Sequence, residues 1–320
     1  MLTALKSNSI YYFIISFLIT SFAAAQSWPV QPADANYPGS STYKNQSYHE
    51  TLNIKGRTVE LFAPEGFKTS TDQLTIVIYG HGQTIPVASY QQTFEHMARK
   101  GIAVIFPQFD TGFFDQDWRR MATDYVDLSN EVIKKYPNVF DKNRVIFSGH
   151  SKGAYVALVA AGLPQQKQIL QPAAVVLFAP AGFDAEYLKN INQKIPVTLA
   201  WSDQDSVIKE SSIQEIYNGL PSEKKQMITV KSYINVSPEI IAGHFYVLTK
   251  KFTFGGSDGV NPLHYYGSWK WLVGAAWDLE QGGHATNNYI YGAETTSTGL
   301  AQQHLIKKSW SFLNRLTLRH

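Results

Sequence analysis

The chain is predicted to form an α/β domain, a mostly parallel central sheet with helices on both faces. Three observations carry this. Short, continuously apolar runs such as Leu74 to Tyr79, Ile102 to Pro107, Ala173 to Phe178 and Pro196 to Trp201 have the length of strands covered on both faces. Between them lie stretches with apolar residues at steps of three and four, the period of an amphipathic helix. The run from Arg144 then passes without a break through Gly149-His150-Ser151-Lys152-Gly153 into an Ala/Val-rich helical pattern. Strand and helix signals that alternate in this way specify parallel pairing, because each return to the sheet needs a crossover.

In chain order, residues 26–46 are rich in proline, serine and asparagine without periodicity, and are expected to form an N-terminal arm that is loop rather than core. Tyr48 to Ile54 and Arg57 to Ala63 read as two strands paired around Lys55-Gly56. The run at Leu74 ends in Gly80-His81-Gly82-Gln83, and a helix is expected from near Ser89 to Lys100-Gly101. Met121, Tyr125, Leu128, Val132 and Tyr136 mark a long amphipathic helix before the strand into Ser151. A helix to about Leu163 follows, then the strands at Ala173 and Pro196, a short helix from Ser211 to about Asn218, and a last strand from Met227 to Tyr233. The segment between Phe178 and Pro196 is too short for a large lid. The extra length lies after about residue 249, as a C-terminal extension that reads as helical from Asn261-Pro262.

Composition narrows the function classes. The 320 residues are 44% hydrophobic and 17% charged, which suits one large domain over residues 47–320. A formal net charge of +3 without a Lys/Arg cluster leaves no basic footprint for nucleic acid. Cysteine is absent, which excludes disulfides, thiolate metal sites and a cysteine nucleophile. No zinc-type spacing and no phosphate-binding glycine loop occurs, so neither metal nor cofactor is expected. Lys6 is the only charge in the first 25 residues, Ile10 to Thr20 is almost wholly apolar, and Ala23-Ala24-Ala25 supplies small residues. This pattern reads as a signal peptide over residues 1–25, and so as a secreted or periplasmic protein with no stable membrane span after cleavage. Asn45-Gln46-Ser47 and Asn235-Val236-Ser237 fit the glycosylation triplet, which matters only in a eukaryotic export route.

The Gly-x-Ser-x-Gly pattern occurs twice, at Ser151 and at Ser257 within Gly255-Gly256-Ser257-Asp258-Gly259. Only Ser151 has a strand before it and a helix after it; Ser257 reads as part of a glycine-rich turn. A strand-to-helix turn with serine at its apex holds that serine in a strained conformation and aims helix N-terminal amides at any anion formed beside Oγ. In this context residues 144–158 resemble the nucleophile elbow of the α/β-hydrolase superfamily. The α/β-hydrolase fold, without a large lid, is what the resemblance implies for roughly Leu74 to Leu248.

A serine hydroxyl needs a base to take its proton and a carboxylate to orient that base. The resemblance implies the order serine, acid, histidine along the chain. After the strand at Pro196, Ser202, Asp205, Val207 and Ile208 match the family's acid segment. That favours Asp205, with Asp203 as the alternative acid or else a turn residue bonding its own backbone. Gly243-His244-Phe245 resembles the histidine segment of secreted esterases similar to dienelactone hydrolase and platelet-activating-factor acetylhydrolase. His264, at the expected helix start, is the alternative base or a packing residue, and His284 reads as a loop histidine. For the oxyanion, the resemblance nominates the backbone N–H groups of Lys152 and of Gln83, with His81 structural. The aromatic residues from Phe245 to Trp277, Phe254 among them, are either an apolar wall for an acyl chain or an extension packing on the sheet.

The function this implies is a secreted serine esterase or lipase-like hydrolase acting on a small-molecule ester or lipid, with no nucleic-acid partner. An amidase or peptidase on the same triad is the alternative within chemistry. A non-catalytic binding protein on a hydrolase scaffold is the alternative outside it.

Overall fold

The computed structural model describes residues 28–282 apart from 110–111, 113, 165–169, 183, 235–236 and 254, together with the backbone of residues 306–309. The expected signal peptide (residues 1–25), Phe254, His284 and part of the Asn235-Val236-Ser237 triplet lie outside the described residues.

Among the described residues nine strands form one sheet: β1 (Ser47–Ile54), β2 (Arg57–Pro64), β3 (Leu74–Gly80), β4 (Ala103–Pro107), β5 (Phe140–His150), β6 (Ala174–Phe178), β7 (Val197–Ser202), β8 (Lys225–Val230) and β9 (Ile306–Ser309). Their spatial order is β1-β2-β4-β3-β5-β6-β7-β8-β9. The block from β4 to β8 is parallel, while β1, β2 and β9 pair antiparallel at the two edges. The sequence predicts a last strand from Met227 to Tyr233. Instead β8 stops at Val230, Tyr233 makes only a single bridge to Ile240, and β9 adds a further edge strand.

The helices are α1 (Gln91–Arg99), α2 (Trp118–Lys135), α3 (Lys152–Ala161), α4 (Ala185–Leu188), α5 (Glu210–Gly219) and α6 (Trp269–Glu280). They cover both faces because the inner strands alternate their apolar cargo. Ile76, Ile78, Val145 and Phe147 pack with residues of α2, α3 and α5, whereas Val77, Tyr79 and Ile146 pack with those of α1 and α6. Helix α3 is buried on every side, as its sequence, apolar beyond Lys152, demands. Helix α2 starts where the Asp117 carboxylate accepts the Arg120 N–H at 3.0 Å, an ordinary N-cap.

At the two ends of the chain, one expectation needs correction and one open alternative is decided. The N-terminal arm is irregular, but residues 37–40 are buried, so it belongs to the core. It is held by Tyr266 Oη donating to Val30 O (2.7 Å) and by Lys100 Nζ donating to Thr42 O (2.8 Å). Its prolines and asparagines removed any periodic signal without removing Tyr37, whose ring meets that of Tyr266. The aromatic residues after β8 resolve to packing: Tyr246, Tyr265 and Tyr266, with Trp269 and Trp271 of α6, are buried in the core on that face of the sheet. Among the described residues no helix is long and apolar enough to cross a membrane.

Candidate active site

The order β4-β3-β5 places a topological switch point at β3. The chain leaves β3 toward β4 on one side and reaches β5 on the other, so the loops after β3 and β5 diverge and leave a crevice at the carboxyl edge. Ser151 follows β5 directly, and Gly82-Gln83 follow β3.

The turn at Ser151 is tight enough to dictate its neighbours. Ser151 has φ 55° and ψ −123°, a conformation that non-glycine residues adopt only when the surroundings enforce it. They do so here by hydrogen bonding. Ser151 N–H donates to Phe178 O at 2.9 Å, and Ser151 O accepts from Ala154, Tyr155 and Ala181 at 3.0–3.2 Å. A Cβ on Gly149 would lie 2.5 Å from Gly153 O, and one on Gly153 would lie 2.2 Å from the carbonyl carbon of Gly80. Both glycines are therefore required by close backbone approach, and the second packs the loop after β3 against the first turn of α3.

Three side chains from three loops meet at this turn. His244 Nε2 lies 2.9 Å from Ser151 Oγ, and His244 Nδ1 lies 2.8 Å from Asp205 Oδ2. The carboxylate bond holds the ring proton on Nδ1 and leaves Nε2 to accept from the serine hydroxyl. Asp205 is fixed in turn, because its Oδ1 accepts the N–H groups of Val207 and Ile208, both at 2.8 Å. The side chains of His244 and Asp205 are buried. His244 is brought to the serine by the loop after β8, where Gln204 N–H donates to Ala242 O at 3.1 Å and ties the loops after β7 and β8 together.

The competing residues are placed elsewhere. Asp203 was expected, if not the acid, to bond its own backbone; that pattern belongs to Asp205. Asp203 Oδ1 instead accepts from the N–H and hydroxyl of Ser232, at 3.0 and 2.9 Å, which pins the loop after β8. His264 is buried in the turn of wider helix (His264–Ser268) that leads into α6. Its Nδ1 accepts from Asn261 N–H at 3.0 Å and its Nε2 donates to Leu248 O at 3.2 Å. Burial pushes its pKa down to about 4. Ser257 Oγ contacts the carbonyls of Leu248 (3.0 Å) and Gly259 (2.7 Å), inside the glycine-rich turn that the sequence predicts. His81 Nδ1 lies 3.0 Å from Gly82 O, with its ring stacked on Phe109.

Of the nominated oxyanion donors, Lys152 is the first residue of α3, next to the serine and at the positive end of the helix dipole. Gln83 lies in the loop that Gly153 brings against that turn, and its side chain donates to Gly112 O at 3.3 Å. Two residues at the site escaped the sequence reading altogether, Tyr90 and His150. Tyr90 Oη lies 3.0 Å from both Gly82 N and His150 Nδ1, and His150 Nε2 lies 3.0 Å from His244 O. Burial holds His150 well below the ordinary imidazole range, so it is neutral. Among the described residues no three His, Asp or Glu side chains group as a metal site.

No family model matches this chain, and no curated protein matches it. The chemistry of the site therefore has to be argued from its geometry.

Proposed function

We propose that the chain is a secreted or periplasmic serine hydrolase of α/β-hydrolase fold that cleaves carboxylic esters through an acyl-enzyme on Ser151. One observation carries this reading: the unbroken run of contacts from Ser151 Oγ to His244 (2.9 Å) and from His244 to Asp205 (2.8 Å), anchored on a strained strand-to-helix turn. The preference for esters over amides rests on the resemblance of Gly243-His244-Phe245 to the esterase segment, and a small-molecule ester or lipid is the substrate class.

In this mechanism His244 Nε2 takes the hydroxyl proton as Ser151 Oγ attacks the ester carbonyl carbon. The C–O π electrons move onto oxygen, where the N–H groups of Lys152 and Gln83 stabilise the oxyanion. The buried Asp205 carboxylate stabilises the imidazolium that results and holds its tautomer. As the tetrahedral intermediate collapses, the ester C–O bond breaks and His244 delivers its proton to the leaving alcohol. Water then repeats the sequence on the acyl-enzyme, with His244 as base, and releases the acid.

A fluorophosphonate probe tests the reading directly. Labelling is expected at Ser151 alone, with hydrolysis of p-nitrophenyl esters faster than that of the matching anilides. Faster anilide cleavage would turn the assignment to an amidase. A folded protein that neither labels nor hydrolyses would be a binding protein on this scaffold.

A further inference from the structure

We infer that Tyr90 and His150 are positioning residues that lock the oxyanion loop, the nucleophile turn and the loop of the base into one unit. This inference rests on the hydrolase reading for its catalytic consequence, though the lock itself is a matter of geometry. Three contacts build it: Gly82 N to Tyr90 Oη, Tyr90 Oη to His150 Nδ1, and His150 Nε2 to the carbonyl oxygen of His244, each 3.0 Å long.

The direction of every bond follows from the donor count. The carbonyl oxygen of His244 can only accept, so the ring proton of the neutral His150 must sit on Nε2. Nδ1 is then an acceptor, and it takes the single hydroxyl proton of Tyr90. The Tyr90 oxygen keeps its lone pairs, one of which accepts the Gly82 N–H. A chain with one consistent polarity, wholly buried, tolerates no alternative arrangement without an unsatisfied group.

Each end of the chain is fastened to a different part of the site. Gly82 precedes Gln83, the nominated oxyanion donor. A Cβ at Gly82 would lie 3.0 Å from His150 Nδ1 and 3.3 Å from Tyr90 Oη, so the backbone is drawn against the network. His150 directly precedes the nucleophile, and its other nitrogen holds the backbone of the base itself. Tyr90 is fixed by packing among Tyr79, Phe94 and Phe106, with ring centroids 5.3–5.8 Å away, so its hydroxyl is placed from the core outward. β3 and β5 are paired up to Gly80 and Gly149, but β8 is separated from β5 by β6 and β7, so its loop has no strand contact with the other two; this chain of bonds ties it to them.

The experiment compares the wild type with Tyr90→Phe, His150→Leu and His150→Gln, all expressed from the full sequence. Thermal melting, kcat and KM for a p-nitrophenyl ester, and the rate of fluorophosphonate labelling are measured for each. Tyr90→Phe and His150→Leu are expected to lose about 10- to 100-fold in kcat with KM within about twofold, the signature of misplaced rather than missing groups. His150→Gln keeps a donor where Nε2 stood and should recover part of that loss. If the first two variants keep kcat within about twofold of wild type, whatever their melting temperatures, the inference is overturned. The ring tautomer of His150 in the wild type, read by nitrogen NMR, needs no variant to fold. A neutral ring protonated on Nε2 at pH 7 supports the lock, and protonation on Nδ1 overturns it. A wild type that neither labels nor hydrolyses sinks the hydrolase reading, and the tautomer then judges the lock alone.

Discussion

Two serine–histidine pairs sit on this chain, and they end in opposite chemical states. Around Leu248, Ser257 and His264 both turn to the same carbonyl: Ser257 Oγ reaches Leu248 O at 3.0 Å and His264 Nε2 at 3.2 Å. They share an acceptor instead of bonding each other. His264 spends its second nitrogen on Asn261 N–H, so neither nitrogen is left to take a proton from a substrate or a nucleophile. At the sheet edge, Ser151 and His244 face one another at 2.9 Å and the second nitrogen of His244 meets a buried carboxylate. Residue type and even the Gly-x-Ser-x-Gly pattern are common to both pairs. What separates them is the partner on the far side of the imidazole: an amide closes the ring into structure, whereas a carboxylate lets it accept and hold a proton.

The sharpest way to break this comparison is to delete each hydroxyl. Ser151→Ala is expected to lower kcat for p-nitrophenyl esters by about four to six orders of magnitude in a folded protein. Ser257→Ala removes only a turn hydrogen bond and should leave kcat within about twofold. Loss of activity in the second variant with retention in the first would reverse the roles assigned to the two pairs.

The aspartates sharpen it further, at a smaller scale. Asp205→Asn keeps the shape but removes the charge that supports the imidazolium, and is expected to cost about three to four orders of magnitude in kcat. Asp203→Asn weakens the pin on Ser232 and should cost less than about tenfold in kcat, with a lower melting temperature as its main effect. Stopped-flow or steady-state esterase assays beside thermal melts separate the two outcomes. Equal losses would mean that the Asp203–Ser232 anchor matters for catalysis as much as the charge does.

How much of this was legible beforehand depends on whether a feature is set by local backbone physics. The elbow was legible because its glycines are forced by backbone contact, and the inner strands because burial on both faces makes them short, mostly apolar runs with few polar residues. The proposed base was less so. His244 and His264 both lie beyond the last parallel strand, and the difference between them lies in Asn261 N and Leu248 O, donor and acceptor positions that no spacing encodes. Tyr90 was invisible because an aromatic residue at a helix start looks like core, which it also is. His150 sits at the variable position of the pentapeptide, where the motif is silent. Strand β9 carries Ile306-Lys307-Lys308-Ser309, too short and too charged to announce a sheet edge.

The smallest expected effect concerns acid stability, and it probes the closed histidine rather than the open one. His264 has its pKa held down to about 4 by burial, against about 6.5 for an exposed imidazole in the unfolded chain. Between those values the unfolded chain binds a proton that the folded one does not. Stability is therefore fully present above about pH 6.5, falls as the pH drops, and stops falling on this account near pH 4. The whole contribution is on the order of 3 kcal/mol. His96, pushed by burial down to about 3, and His150 add slopes of the same sign. His264→Gln keeps a donor for Leu248 O but cannot titrate. Urea unfolding from pH 4.5 to 7.5 should therefore show one fewer proton taken up on unfolding near pH 5 than in the wild type, while kcat at pH 7.5 stays within about tenfold. An unchanged slope would mean that His264 is charged in the folded protein, and the contrast between the two histidines would collapse.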